Sequence, residues 1–428
     1  MKKYILYFKN LALTSTAKDT YVLFIGNTAS AFWGFLFILI IARALSIEDF
    51  GVFSAANNLT IILFSIVDAG VSSGAINFIS EATSRKDNKK ADEYIKASVV
   101  IRLILVTIVS LILVVFAPFI SKTLLATNDP QISVLTAFLC IFIFPNGVFP
   151  YLFQARSEFL RSVVVDNANF ILRLLAAYTL ILLGIFKLPH AFWSFFAGFL
   201  VTLILSFVYL GRGFLKTKPD KSIYKNLLHF SGWIGVNRVL TGISGRLDIA
   251  MLAALSGAVA TGFYSIPQRL VMFIPVLASS YSAVLAPRMA AFSDKNVQKK
   301  YLVKSILGIF PMVVGALIVI FMAKPFIVLL FGEKYATSAP ILKFLVISYI
   351  PFIVSIPSVT AIVYALKKTI YIGVYAVFQI IAVFLLNLIF IPKYESLGPT
   401  FTIGIINTIT AVFSWIVVIR YFWFTNRK

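Results

Sequence analysis

Cysteine is almost missing from this chain: Cys140 stands alone, inside an apolar run. A single thiol closes no internal disulfide, and in such surroundings it reads as a small hydrophobe. Histidine is nearly as scarce, with His190 and His229 far apart at the ends of apolar segments. That spacing suits no metal site, so no metal or cofactor is expected. Charge is thin as well. Only 13% of residues are charged and 60% are hydrophobic, against roughly 25% charged in soluble domains, which excludes an ordinary soluble enzyme. Acids are the rarer sign, 16 against 38 Lys and Arg, for a formal net charge of +22. In a soluble protein that balance would suggest nucleic acid. Here the bases gather in the loops of one side, so no nucleic-acid partner is expected and membrane lipids with anionic headgroups take that place. Long loops are missing too. The largest polar stretches, 81–92 and 212–225, are too short to fold as separate catalytic domains.

What the chain has is long apolar runs. About 20 such residues cross a bilayer as a helix, and the sequence reads as an all-α integral membrane protein with twelve transmembrane helices. The first six lie near 20–42, 51–80, 94–119, 131–155, 160–186 and 190–212. The other six lie near 224–252, 260–291, 299–323, 336–365, 368–391 and 399–424. The second and eighth exceed one crossing, so a tilt, a kink or an extension is expected in each. Met1–Lys18 is polar and basic and the next run is long enough to span, so no cleavable signal peptide is expected.

Charge orients the spans. One set of ends carries Arg85, Lys86, Lys89 and Lys90, then Arg156 and Arg161, then Arg212, Lys216, Lys218 and Lys221, then Lys295, Lys299 and Lys300. The opposite ends carry Arg43, Lys122, Lys187, Lys324, Lys334 and Lys393. The positive-inside rule then puts both termini in the cytoplasm, as an even count requires.

An internal repeat sits at the turn between the first two helices of each half. Ala44-Leu45-Ser46 is followed by Gly51-Val52-Phe53-Ser54, and Ala254-Leu255-Ser256 by Gly262-Phe263-Tyr264-Ser265. Six spans per half is even, so the halves share orientation and are related by an axis along the membrane normal. The expected organisation is an N-terminal six-helix bundle over 1–212, a cytoplasmic linker over 213–223 and a C-terminal six-helix bundle over 224–428. Two such bundles enclose a central cavity, and rocking them gives alternating access.

Several charges interrupt the apolar runs. Arg173, Arg238 and Arg269 fall near mid-segment, with Arg102, Arg246 and Lys343 nearer the ends and Asp68 and Asp248 as the main acids. An Arg at the bilayer centre costs roughly 2.5–3.5 kcal/mol even on lenient scales, so these residues mark function or pairing. Asn237, Thr241, Ser244 and Asp248 follow spacings of four, three and four, which sets them on one helix face. Asn58, Ser65, Asp68 and Ser72 repeat the idea, and Asp166, Asn169 and Arg173 share another face. Gln268 and Arg269 lie between Pro267 and Pro275, which are expected kinks.

The functional reading makes Arg238, Arg269, Arg173, Arg246 and Arg102 a cationic, substrate-binding cavity. Asp68, Asp248, Asn237, Thr241, Gln268 and Asn58 then complete its polar lining or couple an ion. Blander readings stand beside it. Ser, Thr and Gly stripes mark close helix packing, Arg102, Arg246 and Lys343 can snorkel to headgroups, Asp166 can pair with Arg173, and both main acids can simply balance neighbouring Arg. The excess of deep Arg over acid favours a phosphate-bearing cargo, because guanidinium matches phosphate with bidentate, charge-assisted hydrogen bonds. A cation exporter would need the reverse.

The stretch from Ala42 to Phe53, with Arg43-Ala44-Leu45-Ser46 and Asp49-Phe50-Gly51 at its centre, resembles the opening motif of the polysaccharide transporter family. These are Wzx-type flippases of lipid-linked oligosaccharides, within the wider MOP superfamily. Asp68-Ala69-Gly70-Val71-Ser72-Ser73-Gly74-Ala75 resembles that family's second-helix signature. Arg246-Leu247-Asp248, Ala286-Pro287-Arg288, Phe331-Gly332-Glu333-Lys334-Tyr335 and Ile391-Pro392 fit in order along the rest of the chain. The resemblance implies a MATE-like fold of two pseudo-symmetric six-helix bundles in the bacterial cytoplasmic membrane. It also implies a non-enzymatic, monomeric carrier of an undecaprenyl-diphosphate-linked oligosaccharide for O-antigen, capsule or exopolysaccharide synthesis, working beside glycan polymerase machinery. The competing reading within the superfamily is a multidrug or cation antiporter. A membrane-embedded glycan enzyme would need a nucleophile, metal or phosphate-loop motif, and none is evident.

Overall fold

The computed structural model describes residues 14–292 and 294–424, and these are helical almost throughout. They divide into two compact units, Met1–Arg246 and Leu247–Lys428.

The first unit contains α1 (Ser15–Ala44), α2 (Ile47–Asp68), α3 (Val71–Ser84), α4 (Asn88–Val115), α5 (Ala117–Leu124), α6 (Pro130–Ala155), α7 (Phe159–Leu182), α8 (Leu188–Leu210) and α9 (Lys221–Ser244). Local chemistry sets the boundaries. Ser46 opens α2 by accepting at Oγ the amide of Asp49 at 3.0 Å, which satisfies one of the free donors of the first turn. Asp129 does the same for α6, whose first residue is Pro130, a position where proline's missing N–H costs nothing. Helices α1, α7 and α8 pack on one another, and Phe37 of α1 meets Phe195 of α8 edge to face at 5.3 Å.

The long second run is divided by a break. Ala69 and Gly70 both take the left-handed conformation, at φ 38° and 78°, and end α2 before α3 begins. An alanine there costs roughly 1–2 kcal/mol, so the packing around it must hold it in place. That packing is close: Gly70 lies against the backbone of Ser231 and Gly235 of α9. Small residues let two backbones approach in this way inside a membrane.

The second unit contains α10 (Leu247–Val271), α11 (Phe273–Ala291), α12 (Lys295–Leu307), α13 (Phe310–Phe321), α14 (Ala323–Phe331), α15 (Ser338–Tyr364), α16 (Thr369–Tyr394) and α17 (Gly398–Ile419). Helix α10 is interrupted at Gly257, at φ 81° and ψ −174°, directly after the second copy of the Ala-Leu-Ser repeat. The eighth run breaks at Met272, three residues before Pro275, whose ring and missing N–H disturb the preceding turn. A tight core of Met289, Leu302, Ala361, Ile362, Val418 and Phe422 joins α11, α12 and α15 to the end of the chain. A further repeat appears in the short helices: α5 carries Pro118-Phe119-Ile120 and α14 carries Pro325-Phe326-Ile327, each one residue past the end of a long apolar helix.

Ten stretches among the described residues are long and apolar enough to cross a membrane, where the sequence reading counts twelve. Two causes account for the difference. Helix α9 is absent from the ten because Lys221, Lys225, His229, Asn237 and Arg238 make it too polar. The stretch Gly373–Phe424, 52 residues long, spans most of α16 and all of α17 as one continuous run. The sequence division opens the second bundle at 224, whereas α9 packs on α2, α3 and α4 and belongs to the first unit. The linker is tied to that unit as well, since Lys96 of α4 donates to the carbonyls of Leu215 and Thr217.

Candidate functional site

The break at Ala69–Gly70 creates the site. Asp68, the last residue of α2, turns its carboxylate over the start of α3, where Oδ1 accepts the backbone amide of Ser72 at 3.1 Å and also the Ser72 hydroxyl. The side chain is therefore a helix cap as well as a charge. Its other oxygen, Oδ2, accepts from Nη1 of Arg238 at 2.8 Å, and Arg238 Nη2 donates to Ser73 Oγ at 3.1 Å. Arg238 reaches this spot because Gly235, one turn earlier on α9, sits directly on the Ala69 carbonyl.

A second arginine joins from α4. Nε of Arg102 stands 3.7 Å from Asp68 Oδ1. Arg102 is wholly buried and Asp68 is 5% exposed, whereas the Arg238 side chain is 41% exposed. None of the three guanidinium nitrogens of Arg102 makes a hydrogen bond among the described residues. The cluster thus holds two guanidiniums against one carboxylate and keeps a net positive charge inside an otherwise apolar unit. Arg238 has five N–H donors, and among the described residues Asp68 and Ser73 take two of them.

Each unit holds other residues singled out in the sequence. Arg173, 9% exposed, lies 4.3, 4.6 and 4.2 Å from the ring centres of Phe37, Phe170 and Phe195. The three rings form an aromatic cage around its guanidinium. Asn58 is buried and donates from Nδ2 to the carbonyl of Arg246 at 3.0 Å, so Arg246 occupies the break between α9 and α10. Asn237 and Thr241 are exposed on α9, and the Thr241 hydroxyl donates back to the Asn237 carbonyl at 2.8 Å. In the second unit Gln268 is buried and Arg269 partly buried on α10. Asp248 accepts the hydroxyl of Tyr264 at 2.6 Å and the amide of Ile249 at 2.8 Å.

Two expectations change. The face of Asn237, Thr241, Ser244 and Asp248 is cut at Gly245–Arg246: α9 ends at Ser244 and Asp248 begins the next helix. Arg102 does not snorkel, because α4 starts at Asn88 and carries it to mid-helix, fully covered. Two partners were missed. Ser73 follows Ser72 in the second-helix motif, and Tyr264 occupies the place in the repeat held by Phe53, so the added hydroxyl was the available signal.

The sequence model of a family described as polysaccharide biosynthesis protein matches residues 16–293. The chain belongs to that family. Within and around the polysaccharide biosynthesis proteins, it is 26% identical over 323 residues to the uncharacterized membrane protein EpsK of Bacillus subtilis (strain 168), covering 71% of this chain and 62% of EpsK. It is 26% identical over 241 residues to the lipopolysaccharide biosynthesis protein WzxC of Escherichia coli (strain K12), covering 51% of this chain and 46% of WzxC. The chain therefore spans less than two thirds of these relatives' length. Among solved structures it resembles an inward-facing multidrug resistance MATE family transporter of the MOP superfamily, with TM-score 0.70, 13% identity and coverage of 92% and 94%. It also resembles the lipid II flippase MurJ in an inward closed conformation, with TM-score 0.69, 15% identity and coverage of 93% and 87%. These likenesses show that the chain shares the helical fold of those two transporters.

Proposed function

We propose that this chain is a flippase, moving an undecaprenyl-diphosphate-linked oligosaccharide across the bacterial cytoplasmic membrane by alternating access and performing no covalent chemistry. The observation that carries the reading is the cluster at Asp68. It presents a partly exposed arginine, Arg238, with a surplus of positive charge behind it. A diphosphate is an anion that such a guanidinium matches well, through paired charge-assisted hydrogen bonds. Arg269 is the second group assigned to the headgroup, while sugars meet the polar side chains of Asn237, Thr241 and Gln268 and the polyprenyl tail stays in lipid. Membership of the polysaccharide biosynthesis family, the name of WzxC and the fold shared with a lipid II flippase all support this assignment.

In this reading α9 and the two helices α16 and α17 bring the crossings to twelve, with both termini cytoplasmic. The protein works as a monomer beside glycan polymerase machinery, and its product feeds O-antigen, capsule or exopolysaccharide assembly. A multidrug or cation antiporter is the second reading, favoured by the likeness to the MATE transporter.

Mass spectrometry of lipid-linked sugars from a strain lacking this gene separates the two. Accumulated undecaprenyl diphosphate bearing one complete repeat unit, with surface glycan lost, is the expected result. Unchanged lipid intermediates together with altered drug sensitivity would favour the antiporter.

A further inference from the structure

An anion that takes Arg238 creates a problem for Asp68. The carboxylate is buried, and once Arg238 turns away it keeps only the bonds from Ser72. A buried charge stripped of its partner carries a heavy penalty, and that penalty would be charged against every binding event. The structure contains a remedy. Arg102 stands 3.7 Å from the same carboxylate, about 0.9 Å beyond the length of a charge-assisted hydrogen bond. Its own nitrogens make no hydrogen bond among the described residues, so closing that gap would relieve both groups. The two arginines also differ in access. Arg238 is 41% exposed and open to a ligand, whereas Arg102 is fully buried, with Asp68 as its ion-pair partner among the described residues.

We propose that Arg102 is the reserve partner of Asp68: when an anionic headgroup draws Arg238 away, the carboxylate closes on Arg102 and is never left unpaired. Arg102 is then a positioning residue that touches no ligand and sets affinity through Asp68. The inference rests on the assignment of Arg238 as an anion-binding group. It places the exchange wholly within the first unit, between α2, α4 and α9. The Gly235–Ala69 contact fixes the α9 backbone during the exchange, so side-chain movement is enough.

The test is a double-mutant cycle on the full chain in lipid nanodiscs, with geranylgeranyl diphosphate as the probe. Arg102→Gln should weaken binding about tenfold, within the range of coupled neighbours. Asp68→Asn should strengthen it, and asparagine still caps α3. In the Asp68→Asn background, Arg102→Gln should change nothing, because there is no carboxylate left to receive. An equal weakening in both backgrounds would mean a plain through-space charge effect and would overturn the inference, as would wild-type binding by Arg102→Gln. Arg102→Lys keeps a donor that can reach the carboxylate. It should bind more tightly than Arg102→Gln, and it serves as the second probe if the glutamine variant misfolds; binding as weak as without the cation again overturns the inference. Arg238→Ala separates the two levels. Its loss of binding upholds the anion site whatever Arg102 does, and unchanged binding overturns the site and the reserve partner together.

Discussion

Gly235 rests on Ala69: a Cβ added at position 235 would stand 2.3 Å from the Ala69 carbonyl oxygen. No real Cβ occupies such a place, so α9 or the left-handed break must move. Gly235→Ala is expected to destabilise the protein by about 1–3 kcal/mol, the usual cost of overpacking, and to pull Arg238 off Asp68. Gly232→Ala meets open space and is the control, expected to be neutral or slightly stabilising. Thermal unfolding of the two variants in the same detergent checks the difference; equal melting temperatures would remove the close approach as a determinant.

Arg238→Ala and Arg269→Ala are each expected to insert and express normally while abolishing glycan export. Lysine at either site should restore only part, because an ammonium cannot grip a diphosphate with a planar fork. Surface glycan staining alongside membrane protein levels measures both quantities. Full export by well-expressed alanine variants would end the assignment of these residues to the headgroup.

Tyr264→Phe removes the hydroxyl that Asp248 accepts at 2.6 Å and leaves a carboxylate short of one bond. The expected loss is about 1–3 kcal/mol of stability. Asp248→Asn, which still accepts that bond, should lose less. Denaturation in mild detergent compares the pair, and a neutral Tyr264→Phe would show that the carboxylate finds another donor at no cost.

Lys334 lies between α14 and α15, on the side assigned to the cell exterior, with its ammonium 5.3 Å from the ring centre of Tyr335. Partial burial holds it below the usual lysine range, so a larger fraction is neutral amine at a given alkaline pH. A membrane-impermeant acylating reagent added to intact cells should therefore label Lys334, and at lower pH than a fully exposed lysine requires. Lys89, on the side assigned to the cytoplasm, should react only after lysis. Labelling of Lys89 in sealed cells would invert the proposed orientation.

The crossings were readable where apolar composition defines them, and the overlong second and eighth runs announced their breaks. The charge pairings were not. Arg238 and Asp68 lie 170 positions apart, and no local periodicity links them. Arg102 reads as near a segment end because the apolar run begins near 94, whereas α4 begins at Asn88 and its polar first turns put the arginine at mid-helix. The stripe from Asn237 to Asp248 failed for the opposite reason, since helical spacing continues through Gly245 in the sequence and the backbone does not. Tertiary contact decides such places: Ala69 would not hold a left-handed turn without α9 against it.

The polarity of α9 bears on how the chain is made. A segment with Lys225, His229, Asn237 and Arg238 is a poor candidate for release from the insertion machinery into lipid by itself, given roughly 2.5–3.5 kcal/mol for a central arginine alone. The acid that accepts that arginine is on α2 and the glycine that admits it follows at once. Both emerge from the ribosome more than a hundred and fifty residues earlier. If α9 is one of the twelve proposed crossings, sequential assembly follows, with α9 entering lipid only once the first helices are in place to receive it. On that proposal the carboxylate that pairs with Arg238 in the folded protein also offsets the cost of carrying its charge into lipid.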